Sequence, residues 1–497
     1  MPNSHSSPNA PASSYDLIVV GSGPAGQRAA MQATKAGKKV AIIEELPALG
    51  GGCVHFGTLP SKSFRESVYR WSLGSRGTLG NESEHSQHVS RKMTDLPDMQ
   101  RLLRRRNRVV SEEAKIVYDQ LKRNHVAVFH GHARFVSATE VEIDSPSSKK
   151  GKQKLSAPVI IVGVGARPVA PEHLVVDGER IHDSNTILNQ KELPKNLVVL
   201  GAGIIGAEYA SMFSMAGTKV HLVDRRHEIL ASVDREIVNH LVERFVAQGV
   251  EIILKAEASD IQYNADRSGL TVRLTSGQVL ETDVVLVALG RLGNTEDMGL
   301  DAVGVERDER GLIKVDAHYR TSIRGIYAVG DVVGQPALAS TSMEQGRIAS
   351  SNAFGLEPCV MPRFFPYGIY TIPEISMIGD TEESLITLKK PYVVGRASYR
   401  ELARGQIVGD RWGLLKLLID PSTRKILGIH IVGDNAAELI HIGQAVMTLG
   451  GGLSYFVENV FNYPTLAEAY KTAALHAENQ LRQKTTSGQP AQPVAVT

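Results

Sequence analysis

Twice in this chain, starting at Gly21 and again at Gly201, one pattern recurs: an apolar strand, a glycine-rich turn, a helix, a second strand and an acid. In the first copy residues 16–20 are Asp16-Leu17-Ile18-Val19-Val20, whose last four form a continuous apolar run of the kind buried in a parallel sheet. Gly21-Ser22-Gly23-Pro24-Ala25-Gly26 follows, then an alanine-rich helix ending before Gly37, a strand over 39–43, and Glu44. In the second copy residues 197–200 lead into Gly201-Ala202-Gly203-Ile204-Ile205-Gly206, a helix to Ala216-Gly217, a strand over 220–223, and Asp224. The spacing from first glycine to acid is the same in both. A lone glycine string is often a plain turn, but here the whole context is present twice, and it predicts two dinucleotide sites. The first glycine permits the tight turn, the second admits a pyrophosphate, and the third lets helix pack on strand. The helix N-terminus offers N–H groups to the anion, and the acid accepts hydrogen bonds from a ribose.

The length, 497 residues, allows about three domains at roughly 150 residues each. Apolar residues make up 42% and charged residues 22%, and no apolar run approaches the ~18 residues of a membrane span, so a soluble globular protein is expected. Basic and acidic residues nearly cancel to a net charge of +2, which leaves no global field to hold nucleic acid or an anionic membrane. Two cysteines, Cys53 and Cys359, cannot build a disulfide framework and fit a reducing, cytoplasmic setting. Residues 1–13 have neither the basic nor the apolar region of a signal peptide and read as a disordered tail. The polar stretch 74–98 reads as a surface excursion, 145–154 as a basic loop, and 483–497 as a second disordered tail. Leu103, Val110, Ala114, Val117 and Leu121 recur at helical spacing, while Arg101, Arg104, Arg105, Arg106 and Arg108 read as a solvated face of the same helix.

From Tyr15 to about Leu481 the chain resembles the two-dinucleotide flavoprotein reductases, the pyridine nucleotide-disulfide oxidoreductase family that includes lipoamide dehydrogenase and glutathione reductase. The resemblance rests on both glycine turns, on the strand-end turns at 162–168 and 287–291, and on Ile326-Tyr327-Ala328-Val329-Gly330-Asp331. It implies an α/β fold with two Rossmann-like domains, one for FAD and one for NAD(P), plus a C-terminal α+β dimerisation domain. The FAD domain is then discontinuous, 14–187 with 315–360, followed by 188–314 for NAD(P) and 361–482 for dimerisation. The cofactor contacts it implies are Gly21, Gly23, Pro24, Ala25, Gly26, Glu44, Glu45, Gly51, Gly52, Cys53, Lys62, Ala133, Gly165, Gly330, Asp331, Leu338 and Ala339, together with Gly201, Gly203, Ile204, Ile205, Gly206, Glu208, Asp224, Arg225, Arg226 and Gly290. Asp224 suits the free 2′-hydroxyl of NAD, while Arg225 and Arg226 suit the 2′-phosphate of NADP, so the preference between them stays open.

The family's disulfide reductases carry two cysteines, separated by four residues, just after the first turn. Here the run is Gly50-Gly51-Gly52-Cys53-Val54-His55-Phe56-Gly57-Thr58, with Thr58 in the place of the second thiol. A hydroxyl can neither attack a disulfide nor resolve a mixed one, which excludes the usual thiol cycle and leaves Cys53 as a small apolar neighbour of the flavin. At the far end the family's His-Pro-Thr stretch is Tyr463-Pro464-Thr465, with Glu468 following. A phenol, which ordinarily ionises near ~10, is not poised to shuttle protons at neutral pH.

What the chain keeps serves hydride transfer. Lys62, on a helix opened by Pro60-Ser61, and Glu208 resemble the family's pair beside the reacting rings, and Tyr463 and Glu468 complete the catalytic assignments. Gly-Gly-Gly-Cys-x-x-x-Gly-Thr, Pro-Ser-Lys and Phe-Asn-Tyr-Pro-Thr-x-Ala-Glu-Ala-Tyr most resemble the transhydrogenase branch. The activity this implies is ping-pong hydride transfer from NADPH through FAD to NAD, in a homodimer without a metal, membrane or nucleic-acid partner. An NAD(P)H oxidase or diaphorase, or a non-catalytic flavin redox sensor, remains an alternative. His441, alone on an apolar helix, is expected to be packed in a core or interface.

Overall fold

A computed structural model describes residues 13–76, 97–145, 151–356 and 359–487. The expected tail 1–13, the centre of the excursion 74–98, the centre of the loop 145–154 and the last ten residues lie wholly or largely outside that set. The chain packs as two units.

The first unit takes residues 1–63, 104–169 and 290–361. Its centre is an all-parallel sheet in the order Ile326–Ala328, Val159–Val162, Leu17–Val20, Val40–Glu44, Ala127–His130. Leu17, Ile18, Val19 and Val20 are all buried because helices or strands cover both faces, which is why the run is uninterruptedly apolar. Helix Pro24–Lys35 lies against helix Ala339–Ala353 so closely that a Cβ on Gly346 would stand 2.0 Å from the Ala25 carbonyl oxygen. A four-stranded sheet joins Ser13–Ser14, Gln153–Ser156, Glu140–Asp144 and His132–Ser137, so Gln153 and Lys154 are strand residues and not loop. The two strand-end turns meet as Ala166–Pro168 paired antiparallel with Arg291–Gly293.

The second unit takes residues 64–103, 170–289 and 362–497. It repeats the parallel sheet in the order Ile181–Asp183, Val284–Val287, Asn196–Leu200, Lys219–Asp224, Glu251–Leu254. Strand pairing therefore draws 170–187 into this unit and 290–314 into the first. A five-stranded antiparallel sheet of residues 367–433 carries helices Ala436–Thr448 and Glu468–Ser487. Glu468–Ser487 seats on strand Val393–Ser398, where Gly395 leaves room for the Ala473 carbonyl, and it runs five residues past position 482.

Candidate active site

In the first unit Gly21 adopts φ +101°, and a Cβ there would stand 2.4 Å from the Gly163 carbonyl oxygen. A Cβ on Gly26 would stand 1.9 Å from the Gly21 carbonyl oxygen, so both outer glycines are obligatory. Gly23 faces open space. It is the N-cap of helix Pro24–Lys35 with no side chain capping it, and Pro24 opens the helix, so the turn presents backbone N–H groups outward. Glu44, 5% exposed, is locked behind the turn: Ser22 donates to it from N at 2.9 Å and from Oγ at 2.6 Å, and Leu46 N–H at 2.9 Å. Ser22 Oγ in turn accepts from Gly50 N–H, and Gly51 packs against Gly23 where a Cβ would come within 2.8 Å of the Gly23 Cα. Gly52, like Gly23, faces open space. An open cradle of two such glycines, an uncapped helix end and a fixed carboxylate suits a dinucleotide diphosphate and its ribose, and the residues present therefore fit FAD.

Cys53 lies on the short helix Gly51–His55, and burial pushes its thiol up, while its hydrogen bond with Thr58 pulls the other way. Thr58 begins helix Thr58–Arg76, two residues before the expected Pro60 start, since proline is tolerated in a first turn whose N–H groups have no helical acceptor. Lys62 comes one turn after Thr58 on that helix. Gly330 adopts φ +82° with its N–H on Gln345 Oε1 at 2.7 Å, presenting Asp331. Burial pushes the Asp331 carboxyl up, against the pull of Arg291 and Ser342. Leu338 is the N-cap of the helix beginning at Ala339, again without a side-chain cap. Ala133 is buried on strand His132–Ser137, Glu45 accepts from His132 Nδ1 at 3.2 Å in solvent, and Gly165 takes φ +70° with its carbonyl on Asn294 N–H. Gly290 adopts φ +147° and accepts from Val169 N–H.

The second unit builds the same device. Gly201 adopts φ +103° with the Ala288 carbonyl oxygen 2.4 Å from where a Cβ would be, and Gly206 closes on the Gly201 carbonyl. Gly203 is the uncapped N-cap of helix Ile204–Met215, which Ile204 and Ile205 open. Asp224, 5% exposed, accepts from Ala202 N–H at 2.6 Å and from Arg226 three times: N–H at 2.8 Å, Nε at 3.0 Å and a terminal guanidinium nitrogen at 2.8 Å. Burial alone would raise the Asp224 carboxyl, but the Arg226 side chain and the two backbone donors hold it below the usual carboxylate range. Arg225, next to it, is exposed. Glu208, also 5% exposed, accepts from Tyr370 N–H at 2.8 Å. Tyr463 is 75% exposed, and Glu468 accepts from Thr465 N–H at 3.3 Å.

Two features escape the sequence reading. His441 is exposed with Nδ1 at 2.8 Å from Gln444 Oε1, and so is not packed in a core of this chain. Lys255, at the end of strand Glu251–Leu254, stands beside Asp224 and Arg226. Its signal is the βαβ arithmetic that makes this strand the parallel neighbour of Lys219–Asp224. Among the described residues, Asp234, Glu236 and Glu382 are the three carboxylates close enough to share a cation, and the Lys416 ammonium bonds all three.

The model of the pyridine nucleotide-disulphide oxidoreductases matches residues 15–346, and that of their dimerisation domain matches 365–474. The soluble pyridine nucleotide transhydrogenase of Mycobacterium tuberculosis (strain ATCC 25177 / H37Ra) is 43% identical over 94% of this chain and 98% of its own. That of Sodalis glossinidius is 44% identical with the same coverage. Among solved structures, the HOCl-induced flavoprotein disulfide reductase RclA from Escherichia coli superposes with a TM-score of 0.82 at 26% identity, covering 93% of this chain and 99% of that one.

Proposed function

Because the chain belongs to the pyridine nucleotide-disulphide oxidoreductase family, we propose that it is an FAD-dependent pyridine nucleotide transhydrogenase, interconverting NADPH plus NAD with NADP plus NADH. The observation that carries this reading is the contrast within one chain. Both dinucleotide cradles are complete, while threonine and tyrosine stand where thiol exchange needs a second thiol and an imidazole.

When bound, FAD supplies a ring that accepts hydride from one nicotinamide and returns it to another. The protein's part is placement. The helix N-terminus at Gly23 and the Glu44 carboxylate fix the diphosphate and ribose of the flavin nucleotide, and the helix N-terminus at Gly203 with Asp224 does the same for the nicotinamide nucleotide. With FAD and a nicotinamide nucleotide bound, Lys62 would supply positive charge beside the flavin, Asp331 would hold the ribityl chain, and Glu208 would orient the nicotinamide. Tyr463 and Glu468 carry no proton in this reading, since hydride transfer between like rings needs no acid or base. The two nucleotide couples are nearly isoenergetic, so concentration ratios set the direction. The working form is a homodimer through residues 365–474. Among the described residues no helix is long and apolar enough to cross a membrane, and with only two cysteines we assign the cytoplasm.

The test is anaerobic reduction of thionicotinamide-NAD by NADPH with the purified yellow protein, alongside lipoamide and glutathione disulfide as acceptors. Thio-NADH formation with neither disulfide reduced is the expected result. Flavin bleaching by NADPH without thio-NADH would overturn it in favour of an oxidase or a sensor.

A further inference from the structure

Glu208 shares its helix face with a second acceptor. Ser211 follows three residues later on Ile204–Met215, a spacing that puts both side chains on one side. Each takes a backbone N–H from the loop 370–373, which joins strands Tyr367–Ile369 and Glu374–Gly379. Tyr370 N–H donates to Glu208 Oε1 at 2.8 Å, and Ile372 N–H donates to Ser211 Oγ at 2.6 Å. The carbonyl between those two N–H groups is gripped from another helix. Arg65, on Thr58–Arg76, donates from Nε and Nη2 to the Thr371 carbonyl, both at 3.2 Å, and its Nη1 lies 3.1 Å from Glu374 Oε1. Glu374 is anchored in turn by Ala437 N–H at 3.2 Å, and the Arg65 guanidinium carbon stands 5.2 Å from the centre of the Tyr69 ring.

The Thr371–Ile372 peptide is therefore held at both ends, its carbonyl by Arg65 and its N–H by Ser211. A planar peptide held at both ends cannot rotate, so the direction of the neighbouring Tyr370 N–H is set as well. Arg65, Glu208, Ser211 and Thr371 are all buried, which keeps water from taking over these bonds. Burying a guanidinium is costly, and apolar side chains would stabilise the loop equally well. What the charged fork adds is a fixed position.

We infer that Arg65 and Ser211 are positioning residues for hydride transfer: they clamp the Thr371–Ile372 peptide, and through the Tyr370 N–H they set the angle of the Glu208 carboxylate. This rests on the reading of Glu208 as the group that orients the nicotinamide. The rest of the nucleotide is held at Gly203 and Asp224, so loosening the clamp tilts the ring without releasing the nucleotide.

The test is single-turnover reduction of the flavin by NADPH without oxygen, fitted for a limiting rate and a half-saturating concentration. Calorimetric titration of ADP-ribose, which lacks the nicotinamide, reports on the rest of the site. Ser211→Ala should lower the limiting rate by about threefold or more. Arg65→Met combined with Glu374→Gln, which leaves no buried carboxylate unpaired, should lower it by about tenfold or more. Arg65→Lys keeps the charge beside Glu374 but not the fork on Thr371, and should fall between wild type and that double variant. In all three the half-saturating concentration and the ADP-ribose affinity should stay within about twofold of wild type. Limiting rates within about twofold of wild type in both Ser211→Ala and the double variant would overturn the inference, as would rates that fall only in step with ADP-ribose affinity. Ser211→Ala removes a single oxygen and keeps the test decisive if the double variant does not fold. Thio-NADH formation by wild type without this split would sink the clamp and leave the transhydrogenase reading standing. The split without thio-NADH formation would do the opposite, because an oxidase or a sensor also takes hydride from NADPH.

Discussion

Cys53 keeps one half of a pair whose other half is Thr58. Burial raises its thiol, so at neutral pH it is protonated, unable to attack a disulfide, and useful only for the space it fills. Cys53→Ser is therefore expected to keep transhydrogenation within about threefold of wild type, and iodoacetamide at pH 7 should leave the rate of the native protein unchanged. A loss of activity on alkylation that Cys53→Ser abolishes would show that the thiol takes part in turnover. Thr58 and Tyr463 are readable in the sequence because they occupy motif positions, where one changed residue type changes the chemistry available. Arg226 is only half readable. Its charge is evident from the sequence, but its bidentate grip on Asp224 depends on a side chain folding back over the turn, which no local pattern encodes.

The strands and helices around each glycine turn are legible for the same reason that they form: every requirement of the motif lies within about 25 consecutive residues, where periodicity and turn chemistry act locally. The Lys416 cluster is illegible because its members come from four distant segments and meet only through tertiary packing. Lys416 on strand Leu414–Ile419 is fully buried and bonds Asp234, the N-cap of helix Arg235–Ala247, together with Glu236 and Glu382, while Arg396 holds Glu236 at 2.6 Å. His430, its cross-strand partner, is buried with its imidazole pushed toward the neutral form by that burial. Burial works against Asp234 and Glu236, yet their cationic partners hold both carboxyls below the ordinary range, and the carboxylates hold Lys416 above its own. The depressed carboxyls contribute stability that is present above their unfolded values and lost as pH falls through the folded ones. The raised lysine contributes stability that is present below ~10.4 and lost as pH rises through its folded value, and His430 adds a loss below ~6.5 because burial resists its charging. Lys416→Met should thus cost about 3–5 kcal/mol at pH 7, by leaving the buried Asp234 and the half-buried Glu236 and Glu382 short of a counter-charge. Urea unfolding followed from pH 7 down to pH 4 should show the gap to wild type narrowing as those carboxylates protonate, and a gap independent of pH would mean that packing alone is lost.

For the molecule as a whole, the segment matched as a dimerisation domain leaves apolar groups in solvent that a lone chain has no reason to expose. Leu449 is 87% exposed, Val460 92% and Tyr463 75%, all within residues 365–474. Scattered single apolar residues are ordinary on a protein surface, but large ones almost fully exposed in a segment matched as a dimerisation domain are the groups a second copy is expected to cover. Sedimentation should accordingly give a species near twice 53.8 kDa. Val460→Glu places a charge where burial would need a partner for it, and Leu449→Glu does the same at the end of helix Ala436–Thr448, so each should shift the protein toward monomer at micromolar concentration. Neither residue belongs to a glycine cradle, so FAD absorbance at 450 nm should persist in both monomeric variants. Under the proposed assignment of Tyr463 to the site, assembly and catalysis are tied, because a side chain 75% exposed in one chain becomes enclosed when a partner covers it. Monomeric Val460→Glu with intact flavin but a thio-NADH rate at least about tenfold lower is the expected outcome, and an unchanged rate in a demonstrably monomeric variant would show that each chain works alone.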